Sequence, residues 1–290
     1  MRHIETNGVT LAVDDRGDGY PVILIHGFPE LAYSWRHQVA ALSDDGYRTI
    51  SYDLRGSGGS SGPDDVAAYS LDNQVGDVVG ILDRLGLEKA AVIGNDWGSI
   101  IGYAAALKYP ERVSHVGSLN VPYLGWPSGF PTTEMIEDHF ADRLGYVLTF
   151  QEPGAAEARF EKDRAGWLRR IFDGVAGRSD FLTEDEFNVF LVTHSDAGLT
   201  GQFNLYRNID RNVEQWAAYG GKPIAQPTLL ITVDNDPVLP ASMADGMAAH
   251  VPDLEIHHIT GCGHWTQQER PGAVSDIFSN WLGRMLEGSD

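Results

Sequence analysis

The chain has little of three things: cysteine, positive charge and long apolar runs. Cys262 is the one cysteine among 290 residues, so no intramolecular disulfide can form. Acidic residues outnumber basic ones by 41 to 21, and the formal net charge of −20 disfavours nucleic acids and anionic membrane surfaces as partners. No apolar run approaches a membrane span, and the first residues lack the apolar segment of a signal peptide. We therefore expect a cytoplasmic protein.

Hydrophobic residues make up 42% of the chain, enough for a large core. Both ends of the chain alternate strand-like and helix-like patterns, and Pro21–Ile25 is an apolar run suited to burial on both faces of a sheet. Three strands are predicted within residues 2–25, and others at 47–53, 90–93, 113–119, 227–233 and 254–259. Helices are predicted at 31–42, 75–85, 99–107 and 240–249, with a last one ending near 286. This alternation predicts an α/β fold with a mostly parallel sheet and helices on both faces.

The pattern changes after residue 123. Proline and glycine crowd residues 122–131, which is typical of a hinge or boundary. Helical patterns then dominate at 132–149, 155–173, 183–196 and 202–218, and Thr183 with Glu186 resembles a capping box. Because strand–helix alternation resumes directly afterwards, we interpret this part as an inserted all-helical cap and not as a separate helical domain. The predicted division is core at 1–123, cap at 124–223 and core again at 224–290.

One pentapeptide, Gly94-Asn95-Asp96-Trp97-Gly98, stands between an apolar strand and a buried helix. Strand, tight turn and helix form the setting of a nucleophile elbow, whose strained backbone exposes the middle side chain at the sheet edge. Asp96 occupies that middle position, and a carboxylate can act as a covalent nucleophile. On the pentapeptide alone, an N-capping role for Asp96 is an equally good interpretation.

Two more polar residues, Asp236 and His264, follow predicted parallel strands. With Asp96 they give the order nucleophile, acid, histidine, which is expected of an α/β-hydrolase triad. Asp234 is a rival acid at the same strand end. Phe28 lies in the Gly/Pro loop after an earlier strand, where its N–H can point into a crevice and bind an oxyanion. A plain strand–helix turn is the alternative at Phe28.

Two other patterns are rejected. The glycine-rich loop at 56–61 has Ser61 where a dinucleotide-binding fingerprint requires its third glycine. Among the ten histidines there is no His-Glu-x-x-His, and His257 and His258 are strand neighbours that point to opposite faces. We therefore predict no metal site and no cofactor.

Five motifs carry a resemblance to a known family. They are His26-Gly27-Phe28-Pro29-Glu30, Gly94-x-Asp96-Trp97-Gly98, Phe150-Gln151-Glu152-Pro153-Gly154, Leu205-Tyr206-Arg207-Asn208 and Gly263-His264-Trp265-Thr266-Gln267. Over about residues 20 to 285, the chain resembles the soluble epoxide hydrolases of the α/β-hydrolase superfamily, which implies the α/β-hydrolase fold. Asn95 departs from the family, which commonly has His before the nucleophile. Because residue 95 is not a triad position, Asn95 does not change the implied mechanism. We expect it to alter the packing of the elbow.

The resemblance implies a role for each matching residue. Asp96 is the implied nucleophile, His264 the base and Asp236 the acid that orients it. Phe28 and Trp97 are implied to supply the oxyanion-hole N–H groups and to contact substrate.

Two cap tyrosines are implied to bind the epoxide oxygen. Tyr206 matches within its own motif, and Tyr146 matches by its spacing ahead of residues 150–154. Ordinary packing tyrosines are the alternative. The implied reaction converts a small apolar epoxide and water to a vicinal diol through an alkyl ester of Asp96, without a cofactor. We also expect apolar pocket walls from five cap aromatics, namely Trp126, Phe130, Trp167, Phe172 and Phe203.

Other functions stay open at this point. A haloalkane or haloacetate dehalogenase also uses an aspartate nucleophile, but it needs N–H donors for the halide. The Trp97 indole offers one, while Phe28 has no side-chain donor where haloalkane dehalogenases often place Asn. A non-catalytic α/β-hydrolase that binds a small ligand is a second alternative, and an esterase is disfavoured because Asp96 replaces Ser. The oligomeric state, monomer or homodimer, is left open.

Overall fold

Eight strands form one sheet in the computed structural model, which describes residues 1–178 and 180–287. The strands are β1 (Arg2–Thr6), β2 (Val9–Arg16), β3 (Pro21–Ile25), β4 (Arg48–Tyr52), β5 (Ala90–Asn95), β6 (Val113–Leu119), β7 (Thr228–Val233) and β8 (Leu254–Ile259). Their order is β1-β2-β4-β3-β5-β6-β7-β8. β2 pairs antiparallel with β1 and β4, and β3 to β8 run parallel. The predicted mostly parallel sheet is thus confirmed.

The central strands are buried on both faces. Along β3, Ile23 and Ile25 join one hydrophobic core, while Val22 and Leu24 join a second core on the opposite face. β5 and β7 are buried at every residue. Helices must therefore cover both faces of the sheet, and this explains why these strands are continuous apolar runs.

The helices divide into two groups along the chain. The α-helices are α1 (Arg36–Asp44), α2 (Leu71–Leu85), α3 (Trp97–Lys108), α4 (Thr133–Met135), α5 (Ala141–Leu148), α6 (Ala155–Lys162), α7 (Arg164–Ala176), α8 (Glu184–Ala197), α9 (Thr200–Arg207), α10 (Ile209–Trp216), α11 (Thr266–Glu269) and α12 (Pro271–Glu287). Helices α1 to α3 and α11 to α12 accompany the sheet. Helices α4 to α10 lie between β6 and β7, where the cap was predicted.

Short segments of other helix types complete the fold. Turns of 3₁₀-helix occupy Ala32–Trp35, Val66–Tyr69, Ala217–Tyr219 and Ala241–Ala249, and a π-helical turn at Ile136–Phe140 joins α4 to α5. The helix predicted at 240–249 is therefore a 3₁₀-helix.

Two predicted cap helices are interrupted. The segment 155–173 breaks at Asp163, whose side chain accepts the N–H of Gly166 and so begins α7. The segment 202–218 breaks at Asn208, whose side-chain amide donates to the Asn204 carbonyl at 2.8 Å. Such side-chain bonds replace helical backbone bonds and end a helix locally. The capping box of Thr183 is confirmed at the start of α8.

Side chains from three cap helices contact the core at the carboxyl edge of the sheet. On α8, Glu186 pairs with Arg36 at 2.7 Å and His194 Nε2 donates to the Pro29 carbonyl at 2.8 Å. On α9, Gln202 donates to the backbone carbonyl of Glu30 at 3.1 Å. On α7, the Phe172 carbonyl accepts the indole N–H of Trp265. These helices between β6 and β7 therefore lie over the edge at which the predicted site residues end their strands.

The described residues contain neither a membrane-spanning helix nor a metal-binding cluster. None of the helices in residues 1–178 and 180–287 combines the length and apolar character needed to span a bilayer. Within the same part of the chain, no three His, Cys, Asp or Glu side chains are grouped to hold a metal ion.

Candidate active site

Asp96 lies in a tight turn between β5 and α3. Its backbone has φ 53° and ψ −123°, a strained combination for a residue with a side chain. A Cβ on Gly94 would lie 2.1 Å from the carbonyl carbon of Gly98, and one on Gly98 would lie 1.9 Å from the Ile25 carbonyl oxygen. Only glycine therefore allows the strand and the helix to approach this closely, and the geometry is that of the predicted elbow.

The Asp96 carboxylate is buried and is held by backbone N–H groups. Phe28 donates to Oδ1 at 2.9 Å, and the Trp97 N–H is a second donor. Gly27 lets this loop come close, since a Cβ there would lie 2.3 Å from the Asp96 Cβ. Burial raises the pKa of Asp96, while the charge of His264 and the two N–H groups oppose that rise. The two donors are placed to bind negative charge on the carboxylate, with the Phe28 N–H on Oδ1.

His264 and Asp236 meet at the ends of β8 and β7. The His264 Nδ1 lies 2.6 Å from Asp236 Oδ2, and its Nε2 lies 3.8 Å from Asp96 Oδ2. The second Asp236 oxygen accepts the N–H groups of Val238 and Leu239 at 2.8 and 2.9 Å. Burial alone would raise the pKa of Asp236, but His264 and these N–H groups outweigh it and lower that pKa. The structure thus brings the three predicted residues into one line of contacts.

The imidazole of His264 lies between carboxylates. Burial by itself would lower its pKa, but Asp236 outweighs this, Asp96 and Glu30 add smaller contributions, and the pKa rises to about 9. A negative charge on each side of the ring favours the imidazolium form. When one of these carboxylates loses its charge, the pKa of His264 falls. The imidazolium then gives up its proton more readily, and the neutral ring becomes available as a base.

Asp234, the rival acid, faces away from this line. It is exposed and accepts the N–H groups of Gly261 and Cys262 at 3.0 and 3.2 Å. These two bonds lower the pKa of Asp234. Its carboxylate thus stabilises the turn after β8, and Asp236 is the acid in contact with His264.

Tyr146 of α5 and Tyr206 of α9 cover Asp96 from the cap. Their ring centroids are 5.9 Å apart, and their hydroxyls interact with each other and with the Asp96 charge. Burial is the main reason why the pKa of each hydroxyl lies above its ordinary value. The Tyr206 ring packs edge-on against Phe28 and Trp97, with centroids 5.2 and 5.3 Å away. Both phenols are therefore protonated at neutral pH and offer donors above the carboxylate.

Two cavities meet at Asp96 and Tyr146. The first, of about 240 Å³, has mostly apolar walls that include Ile100, Val121, Phe130, Phe140, Leu144 and Met243. The second, of about 230 Å³, also reaches Tyr206 and His264, and its apolar walls include Phe28, Phe150, Ile171, Val175 and Trp265. A ligand in either cavity contacts the carboxylate and a phenol within a largely apolar enclosure.

The cap aromatics divide into two groups. Trp126 and Phe130 line the first cavity, as expected. The other three contribute to the walls from behind: Trp167 and Phe203 pack on Phe28, and Phe172 packs on Trp265, with centroid distances of 6.1, 5.7 and 5.1 Å.

Glu30 is a buried carboxyl beside the site, and no role was predicted for it. Its Oε1 accepts side-chain amides of Gln267 and Gln268, each at 2.8 Å. Burial raises the pKa of Glu30 to about 7, and the carboxyl interacts with the charges of His264 and Asp96. Its position as the last residue of the His26–Glu30 motif was the feature of the sequence that could have indicated a role for it.

Two asparagines also contact the line of site residues. Asn95 is fully buried and donates to the His264 carbonyl at 3.3 Å, so it packs beneath the histidine turn. Asn120 follows β6 and donates to Asp236 Oδ2 at 3.0 Å. Asn120 is a polar residue at the end of a parallel strand, the same signal that singled out Asp236 and His264.

Comparisons with known proteins agree with this geometry. The family model described as alpha/beta hydrolase fold matches residues 20–271. Epoxide hydrolase A of Mycobacterium tuberculosis is 39% identical, with 97% of this chain and 96% of that protein covered. Two solved structures are also similar, each at 36% identity. An epoxide hydrolase from an endophytic Streptomyces has a TM-score of 0.92, with 99% of this chain and 96% of that chain covered. Epoxide hydrolase A from Mycobacterium thermoresistibile has a TM-score of 0.89, with 97% of both chains covered. The chain therefore belongs to the epoxide hydrolase family of the α/β-hydrolase superfamily.

Proposed function

We propose that the protein hydrolyses a small apolar epoxide to a vicinal diol through a covalent ester on Asp96. The observation that carries this proposal is the position of the Asp96 carboxylate, between backbone donors on one side and the phenols of Tyr146 and Tyr206 on the other. A nucleophile must face the carbon of the substrate, and an acid must face its oxygen. The two cavities that meet at Asp96 supply the apolar enclosure.

The first step forms the ester. The Phe28 N–H holds Asp96 Oδ1, and we assign the attack on an epoxide carbon to Oδ2, the oxygen 3.8 Å from His264 Nε2. As the new carbon–oxygen bond forms, the bond from that carbon to the epoxide oxygen breaks. The leaving oxygen remains on the neighbouring carbon and takes a proton from Tyr146 or Tyr206, which both remain protonated at neutral pH.

The second step hydrolyses the ester. Esterification removes the charge of Asp96, which is one of the groups that raise the pKa of His264. The pKa of the imidazole therefore falls, and Nε2 can take a proton from water while Asp236 accepts the hydrogen bond of Nδ1. Hydroxide attacks Cγ of Asp96, the bond from Cγ to the substrate oxygen breaks, and that oxygen takes a proton from the His264 imidazolium to complete the diol. The new Asp96 carboxyl gives its proton to the phenolate left by the first step, which restores the carboxylate and the phenol.

Backbone donors stabilise the intermediate of this second step. The tetrahedral oxyanion forms at Oδ1, which the Phe28 N–H already contacts, and the Trp97 N–H is the second backbone donor to this carboxylate. Losing one such donor typically costs about 2.7–4 kcal/mol of transition-state stabilisation. No cofactor takes part in the scheme.

The proposed catalytic roles are divided between the proposed core and cap. We propose core segments at 1–123 and 224–290 that supply the acid, base and nucleophile, and a cap at 124–223 that supplies the phenols. The strands end at Leu119 and resume at Thr228, with helices between them. The cytoplasm remains the proposed compartment, in keeping with a single and buried cysteine.

The ester is the testable intermediate. We expect His264→Gln to gain the mass of one substrate on exposure to an epoxide, because the ester forms and is not hydrolysed. Asp96→Asn should gain no mass and form no diol. His257→Gln is the matched control, since His257 is a partly exposed β8 residue bonded to Glu255. Absence of an adduct on His264→Gln over a panel of aryl and alkyl epoxides would contradict the proposal.

The source of the diol oxygen gives a second measurement. In a single turnover in ¹⁸O water, the first diol should contain only unlabelled oxygen, because its new hydroxyl comes from Asp96. Later turnovers should release labelled diol. Label in the first diol would show direct attack by water and would exclude the ester.

Dehalogenation and ligand carriage are the remaining alternatives. The two phenols favour an epoxide, because an opened epoxide needs a proton on its oxygen and a departing halide does not. Chloride release without diol formation would identify a dehalogenase. Recovery of all bound epoxides unchanged would identify a carrier.

A further inference from the structure

Asn120 is joined to two of the site residues by its side chain. It follows β6 with φ 65°, is buried, and its own N–H donates to the Ile231 carbonyl at 2.8 Å. Its side-chain Nδ2 lies 3.0 Å from Asp236 Oδ2 and 2.9 Å from the backbone carbonyl of His264. Its Oδ1 accepts the hydroxyl of Thr266 at 2.8 Å. Every polar atom of this side chain is therefore used.

The orientation of this amide follows from its neighbours. Asp236 Oδ2 and the His264 carbonyl are both acceptors, so the NH₂ group must face them and the amide oxygen must face the Thr266 hydroxyl. Rotation of the amide by half a turn would place three oxygens together without a proton between them. These two acceptors set the direction in which Asn120 donates, and the Thr266 hydroxyl completes the arrangement by donating to Oδ1.

We propose that Asn120, supported by the Thr266 hydroxyl on its Oδ1, is a positioning residue that sets the geometry and basicity of His264 for ester hydrolysis. The proposal rests on the proposed function. Asp236 Oδ2, the oxygen that Asn120 contacts, is the same oxygen that accepts the Nδ1–H of His264 at 2.6 Å. One side chain therefore holds both the carboxylate and the backbone of the histidine that it orients.

The amide also affects the proton equilibrium. A donor on Oδ2 spreads part of the carboxylate charge, so Asp236 attracts the His264 proton less strongly. Loss of this donor should leave His264 protonated to higher pH. Among the described residues, Asp236, Asp96, Glu30 and Glu269 interact with the charge of His264, and the phenols of Tyr146 and Tyr206 line the same cavity as His264. Variants of Asn120 leave all of these groups in place.

The two chemical steps respond differently. Ester formation requires Asp96 and the phenols, whereas hydrolysis requires His264 and Asp236. Loss of the Asn120 donor should therefore slow hydrolysis and leave ester formation unchanged. The hydrogen bond from Asn120 to the charged Asp236 stabilises the transition state of hydrolysis. We therefore expect its loss to slow hydrolysis about 10- to 100-fold.

The test compares the rates of the two steps by rapid quench and intact-mass measurement of the ester. Asn120→Ala should form ester at the wild-type rate and accumulate it, with the acid limb of the hydrolysis rate moved to higher pH. Asn120→Asp should move that limb further, because a second carboxylate lies beside Asp236. Asn212→Ala is the control, a buried asparagine whose side chain accepts the Leu71 N–H in another part of the fold.

Thr266 gives an independent series in case Asn120 variants fold poorly. Thr266→Val keeps the shape of the side chain and removes the hydroxyl, so it should accumulate ester as Asn120→Ala does. Thr266→Ser restores the hydroxyl and should recover hydrolysis. Unchanged hydrolysis in Thr266→Val, or equal slowing of both steps in folded Asn120→Ala, would overturn the inference. Failure of His264→Gln to form an ester would instead overturn the proposed function.

Discussion

Tyr206→Phe removes one hydroxyl and leaves the packing of the ring in place. The Tyr206 side chain is almost fully buried and packs edge-on against Phe28, Trp97 and Phe150, with centroids 5.2, 5.3 and 5.1 Å away. A phenylalanine ring keeps these contacts, so the free energy of unfolding should change little. The change therefore isolates the donor that faces the epoxide oxygen.

The expected loss follows from the charge that develops on that oxygen. A hydrogen bond to a charged group contributes about 1.5–3 kcal/mol, which corresponds to a decrease of about 10- to 150-fold in kcat/KM. Tyr146→Phe should lose a similar factor, because the Asp96 charge acts on both hydroxyls. The double variant leaves the opened epoxide without a cap donor. Its loss should approach the about 10²- to 10⁴-fold range of general acid catalysis.

The assay is the initial rate of diol formation at low concentrations of one epoxide, which reports kcat/KM for ester formation. Tyr103→Phe is the matched control, since its buried hydroxyl donates to the Val121 carbonyl at 3.0 Å and not to the site. That variant should lose some stability and retain kcat/KM. Unchanged kcat/KM in both Tyr206→Phe and Tyr146→Phe would refute the assignment of the cap phenols.

Two further changes test the electrostatics and the elbow. Glu30 has a pKa of about 7 and, once ionised above that pH, is one of the groups that raise the pKa of His264. Glu30→Gln should therefore lower the His264 pKa, and an acid limb of kcat that lies above pH 7 should move to lower pH in a pH–rate profile. A limb that moves to higher pH would contradict this sign. Gly98→Ala should abolish activity or folding, because its Cβ would lie 1.9 Å from the Ile25 carbonyl oxygen. Gly145→Ala in α5 is the control, since its Cβ meets nothing within 4 Å, and it should be stable in thermal unfolding.

The core strands could be predicted well because burial on both faces leaves a continuous apolar pattern. The predicted bounds 113–119 and 254–259 agree with Val113–Leu119 and Leu254–Ile259, and 227–233 differs from β7 by one residue. The elbow was also recognisable, since small residues on both sides of Asp96 are what its close approach requires.

The cap helices were predicted as longer units than the structure contains. Periodicity reports which face of a segment is apolar, and that face continues across Asp163 and Asn208. The interruptions arise from side-chain bonds to the backbone, such as the Asn208 amide on the Asn204 carbonyl. These bonds form only when other segments fix the side chain, as the Val66 carbonyl does for Asn208, so local sequence carries little sign of them.

The site was partly predictable for a related reason. Parallel strands bring their carboxyl ends to one edge, so polar residues after β5, β7 and β8 could be expected to meet. Strand position alone could not separate Asp234 from Asp236, because both follow β7. The family resemblance indicated Asp236, and the tertiary structure shows Asp236 in contact with His264. Glu30 contacts Gln267 and Asn120 contacts Asp236, in each case across a long sequence separation. A local sequence pattern does not predict such contacts.

Two neutral imidazoles enclose the loop that presents the Phe28 N–H. His26 bonds the Gly27 carbonyl and accepts the Leu54 N–H, while His194 of the cap donates to Pro29. Burial lowers the pKa of His26 and of His194 to about 4 each. Both rings therefore favour the folded chain above the ordinary histidine pKa of about 6.5, and this contribution is lost as the pH falls toward 4. Acid inactivation should consequently begin where cap and loop join, and the melting temperature should fall below pH 6.5 together with activity.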